Sequence, residues 1–145
     1  MTSDQPPKAN YPPPDAEPVA RWVLDEPTQL SDLRAGLASR LSVAGATGSG
    51  DLTGVVDQMV LVASELATNA IVHGLPPTIV RLLDSGEELV LDVVDHAPDE
   101  APEVDDGRAV GDGGLGLQIA TRMAMDIGWF AEGAEKHVWA RFPRR

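Results

Sequence analysis

Three polar residues, one every four positions, interrupt an otherwise apolar helical run, and this constrains the chain more than any other feature. The run reads Ser64-Glu65-Leu66-Ala67-Thr68-Asn69-Ala70-Ile71-Val72-His73-Gly74. Glu65, Asn69 and His73 each fall about 40° further round the helix than the one before, so they form one line along one face. Met59, Val62, Ala63, Leu66 and Ala70 make the core side of the same helix. Most Glu–Asn pairs at this spacing lie on a solvated helix face. Here the neighbours are small or apolar, which turns the line toward a cleft.

The rest of the chain falls into short periodic segments around this helix. Residues 1–18 carry six prolines and little to bury, and read as a disordered tail, with a proline-rich ligand as the other reading. Val19 to Leu24 reads as a strand. Pro27 opens a helix through about Val43, with Leu30, Leu33, Leu37 and Leu41 at helical spacing. Asp51 or Thr53 can cap the long helix, which ends at His73. Gly74 suits a left-handed residue after it, and Pro76-Pro77 prevents continuation. Thr78 to Leu83 and Glu88 to Asp95 form a hairpin around Asp84-Ser85-Gly86-Glu87. His96 to Asp112 is an acidic, proline-bearing loop, of the length found in lids. Leu115 to Met125 reads as a third helix. Ile127 to Ala131 and His137 to Phe142 make a closing hairpin. The order β-α-α-β-β-loop-α-β-β places helices on one face of a mixed sheet, in one domain over residues 19–145.

Bulk properties narrow the function. The net charge is −12, from 11 basic and 23 acidic residues. That disfavours direct nucleic-acid binding, which relies on Lys and Arg to neutralise phosphates. There is no cysteine, hence no disulfide framework and no thiolate chemistry. No apolar run reads as a membrane span and no signal segment is evident, so the expectation is a soluble cytoplasmic protein without membrane contact.

Two further groups of residues carry chemistry. Gly111-Asp112-Gly113-Gly114-Leu115-Gly116-Leu117 leads into a helix start, where free N–H groups favour anions. It matches G-x-G-x-x-G literally, but it follows an acidic loop rather than a strand, so the dinucleotide reading fails on context. No phosphate-loop motif exists. Asp95 ends an apolar strand, where a carboxylate can accept a hydrogen bond from an exocyclic amine such as adenine's, or simply end the strand. Glu65 can accept a proton from an attacking hydroxyl or water. The Asn69 carbonyl is a hard oxygen suited to Mg²⁺. His73 has two readings, a phosphate-side role and a plain helix C-terminal residue.

In order and spacing these motifs resemble the stand-alone ATP-binding domains of the GHKL (Bergerat-fold) superfamily, and among them the actinobacterial relatives of anti-sigma-factor serine/threonine kinases. The likeness covers Val19 to Pro143. Glu65 to Ala70, with His73, is similar to the N box, Val93-Val94-Asp95 to the start of the G1 box, and Gly113 to Leu117 to the G2 box. The resemblance implies a two-layer α/β sandwich with a mixed, mostly antiparallel sheet. It implies ATP and Mg²⁺ as cofactors, Glu65 as catalytic base, Asn69 as the metal ligand, Asp95 at adenine, and Gly111, Gly113, Gly114, Leu115, Gly116 and Leu117 near the phosphates. It also implies a sigma factor or an anti-anti-sigma (STAS-type) protein as partner, and a homodimer in many members.

The chain departs from the pattern in two places. The G1 box reads Asp95-His96-Ala97-Pro98-Asp99, without its glycines, and His137 stands where many members carry a Thr near adenine. A binding module of the same fold that sequesters a partner without turnover is the alternative. A detached histidine-kinase catalytic domain is a further one, but the chain shows no helical phosphoacceptor domain.

Overall fold

The structure, a computed structural model, describes residues 8–9, 16–43, 54–98 and 122–143. Their elements in chain order are β1 (Lys8–Ala9), β2 (Glu17–Leu24), a 3-10 turn (Pro27–Gln29), α1 (Leu30–Val43), α2 (Val55–His73), β3 (Thr78–Asp84), β4 (Glu88–Asp95), β5 (Asp126–Glu132) and β6 (Glu135–Pro143). The acidic loop beyond Pro98, the Gly111–Leu117 cluster and the third helix up to residue 121 lie outside the described residues.

The strands form one sheet in the order β1-β5-β6-β4-β3-β2. Every pairing is antiparallel except the short one of β1 on β5. This is the α/β architecture expected from the sequence, with an antiparallel sheet covered by α1 and α2. Within the segment read as a tail, Lys8–Ala9 pair with Gly128 and Trp129, while residues 1–7 and 10–15 lie outside the described residues. Glu17 and Pro18 likewise already belong to β2. Backbone pairing at a sheet edge needs no apolar side chain, so hydropathy does not reveal it.

Periodicity explains each element. Leu33, Leu37 and Leu41 of α1 are fully buried and face Met59, Val62, Leu66 and Ala70 of α2 in one core. The sheet contributes Val80, Leu82, Leu89, Leu91, Val93, Ala140 and Phe142 to it. Truncating such a leucine to Ala costs on the order of 2–5 kcal/mol. In β4 every residue after Glu88 is buried, which is why the strand reads as a nearly continuous apolar run. Val55–His73 has the length and mean hydropathy (1.4) of a bilayer span, contrary to expectation, but its apolar side is the centre of this core.

Two helix ends differ from expectation. The cap of α2 is Gly54, not Asp51 or Thr53, and Asp57 supplies the acidic charge of the first turn. Gly74 is not left-handed: its φ is −96° and its ψ −167°, an extended conformation. A glycine is needed there for space. A Cβ at position 74 would lie 2.5 Å from both Cγ and Oδ2 of Asp95. Gly133, by contrast, has φ +62° and makes the tight turn between β5 and β6.

The face of the sheet away from the helices holds a smaller cluster of Leu83, Val90 and Trp139. Beside it Asp92, 1 % exposed, accepts hydrogen bonds from two nitrogens of Arg81 and from His137 Nδ1. His137 Nε2 donates to Glu135 Oε1 at 3.1 Å, and Phe130 stacks on the imidazole with centroids 4.4 Å apart.

Candidate functional site

The polar line of α2 holds two unmet hydrogen-bonding groups. Glu65 Oε1 and Asn69 Oδ1 are both shielded from solvent, and neither has a hydrogen-bond partner. Leaving a buried acceptor unsatisfied costs about 1–3 kcal/mol. Two such oxygens on successive turns of one helix face mark a place prepared for a ligand that supplies donors or a cation. The neighbouring Ser64 and Thr68 are satisfied within the fold: Ser64 Oγ accepts from Arg34 at 2.9 Å, and Thr68 Oγ1 donates to the Ser64 carbonyl at 2.8 Å. Among the described residues two other buried atoms also lack a partner, Asp57 Oδ2 two turns earlier on α2 and Arg141 Nε on β6.

Burial raises the Glu65 carboxyl above its ordinary value of 4.5. Desolvation penalises the charged form, so the group binds a proton more readily than a surface glutamate. That is the direction a proton acceptor in phosphoryl transfer requires. Asn69, 7 % exposed, presents a neutral hard oxygen one turn further on. His73 is half-buried in the last turn of the helix.

The line runs toward Asp95. From Asn69 the helix advances five residues to Gly74, about 1.5 Å each, and there it meets the Asp95 carboxyl. The contact is locked on its far side, where the His96 N–H donates to the Leu75 carbonyl at 2.9 Å. Asp95 is 2 % exposed. Its Oδ1 accepts the Ala97 N–H at 2.8 Å, which shows how the altered G1 segment turns without glycine. Its Oδ2 lies 3.4 Å from Lys136 Nζ, and both side chains are buried.

Lys136 is the neighbour of Asp95 that no sequence motif announces. The resemblance points to His137, at the position where many members carry a Thr near adenine. Asp95 and Lys136 are instead register partners of β4 and β6, and His137 points through the opposite face to Asp92. The signal was available: Phe142, Ala140 and Val138 step by two along the core face and reach Lys136. The structure thus brings Gly74, Asp95, Ala97 and Lys136 to one end of the Glu65–Asn69–His73 line. Gly111, Gly113, Gly114, Leu115, Gly116 and Leu117 lie outside the described residues.

The fold is that of an α/β domain with a mostly antiparallel sheet covered by two helices. The family model of the histidine kinase-like ATPase domain matches residues 23–142, and the chain belongs to that family. It is an ATP-binding domain of the GHKL type. A search of curated proteins finds no match.

Proposed function

We propose that the chain is an anti-sigma-type regulator of the cytoplasm, a serine/threonine kinase that phosphorylates an anti-anti-sigma (STAS-type) protein and sequesters a sigma factor. The observation that carries this reading is the pair of orphaned oxygens on Glu65 and Asn69, within a family that binds ATP. Glu65 accepts the proton of the partner's hydroxyl as its oxygen bonds to the γ-phosphorus and ADP departs. Asn69 is the residue that would hold Mg²⁺, an ion that bridges and neutralises phosphate oxygens when bound. Asp95 accepts from the base, and His73, in the last turn of α2, stands at the same end of the line. The net charge of −12 favours a protein partner over nucleic acid.

The test begins with capture of partners from the source cell. A captured STAS-type protein is then incubated with the chain, Mg²⁺ and γ-labelled ATP. Label on a Ser or Thr of the partner supports the proposal, and a captured partner that stays unlabelled contradicts the kinase. A non-catalytic module that only sequesters its partner is the second reading. It is favoured by the engagement of both Asp95 oxygens by Ala97 and Lys136.

A further inference from the structure

The corner that ends the α2 line holds a buried ion pair, and this changes which bases it can read. Asp95 and Lys136 face each other across β4 and β6, with Nζ 3.4 Å from Oδ2 and exposures of 2 % and 4 %. The Ala97 N–H holds the other carboxylate oxygen. Gly74 closes in so tightly that a single added carbon would meet Oδ2 at 2.5 Å. What remains is one carboxylate oxygen beside an ammonium group.

We propose that Lys136 is a specificity-determining residue that makes the site tolerant at purine position 6, so that it binds 6-oxo purine nucleotides such as ITP and GTP alongside ATP. The inference rests on the reading of Asp95 as the residue at the base edge. A carboxylate alone only accepts hydrogen bonds, whereas an ammonium only donates them. Facing Asp95 alone, the adenine 6-amino group is matched and a 6-oxo group meets lone pair against lone pair. With Lys136 present both bases are satisfied. Adenine donates its amino proton to Asp95. A 6-oxo purine in the same place accepts from Lys136 at O6, where the amino group stood. Asp95 and Lys136 exchange none of their charge in either mode, so neither is left buried and unpaired.

Calorimetric titration of the full chain with ATP, ITP and GTP, each with Mg²⁺, tests this. The wild-type affinities for ATP and ITP are expected within about thirtyfold of each other, far below the 10⁴–10⁵ by which a site built around one hydrogen-bonding group rejects its analogue. Lys136→Met should weaken ITP and GTP by a further factor of about 100 relative to ATP, and Lys136→Arg, which keeps the donors, should retain the tolerance. A wild-type preference for ATP beyond about thirtyfold overturns the proposal, and so does an unchanged ratio in a folded Lys136→Met protein. Melting scans establish folding, and if Lys136→Met does not fold, the wild-type ratio and Lys136→Arg decide. Asp95→Ala separates the two levels. If it leaves ATP affinity unchanged, the base-edge reading of Asp95 fails, and with it this inference. If it weakens ATP while Lys136→Met leaves the ratio unchanged, only the role of Lys136 fails.

Discussion

Gly74 and Asp95 are in direct contact: the backbone that ends α2 rests on the carboxyl that ends β4, with no room for a methyl group between them. This contact joins the helix bearing Glu65 and Asn69 to the strand bearing Asp95, and so sets the distance between the two ends of the proposed nucleotide site. Gly74→Ala should push the two apart. Overpacking of this kind costs about 1–3 kcal/mol. The expected result is a lowered melting temperature together with weaker ATP binding, read by thermal unfolding and calorimetry on the same protein. A variant with both quantities unchanged would show that the contact does not set the site.

Glu65→Gln separates catalysis from stability. The buried carboxyl has a raised pKa, so its contribution to stability is greatest below the ordinary 4.5 and falls as pH rises through the raised value. At neutral pH the charged form is a cost that the neutral amide removes. The variant should therefore melt at a slightly higher temperature at pH 7, keep ATP binding, and lose about 10²–10⁴-fold in phosphotransfer to the partner. Unchanged transfer would remove Glu65 from the reaction.

The outer face of the sheet predicts a pH dependence of its own. Burial lowers the pKa of His137, but hydrogen bonds and the charge of Asp92, with those of Glu135, outweigh it, so the net shift is upward from 6.5. Both ring nitrogens face carboxylate oxygens, an arrangement that only the doubly protonated imidazole satisfies. Arg81 on β3 also faces Asp92, and His96 lies 4.0 Å from Glu135. A histidine with a raised folded pKa gives stability that is complete below the unfolded value and is lost as pH rises through the folded one. Melting temperature should fall as pH rises from about 6.5 into the alkaline range, and His137→Gln should flatten that fall. A wild-type melting temperature that is constant over this range contradicts the account.

Much of this was legible in the sequence because the relevant forces are local and periodic. The Glu65–Asn69–His73 line, the leucines of α1 and both hairpins follow from spacings of four and two. The rest depended on partners distant in the chain. Gly74 looks like a helix terminator, and its packing on Asp95 is invisible without the sheet. His137 and Lys136 are adjacent, so a one-residue error in reading the strand exchanges the two faces. Asp92 sits inside an apolar strand, and nothing local announces that Arg81 and His137 meet it from two different strands.

The central claim is that the orphaned oxygen of Asn69 completes an ATP site through Mg²⁺. Calorimetric titration of ATP into the wild-type chain and Asn69→Ala, each with and without magnesium, tests it most directly. The account predicts binding by the wild type that is at least about tenfold tighter with magnesium, a difference of about 1.4 kcal/mol, and that this gain disappears in a folded Asn69→Ala. Absence of ATP binding by the wild type at millimolar nucleotide, or a magnesium gain that survives in Asn69→Ala, would contradict it.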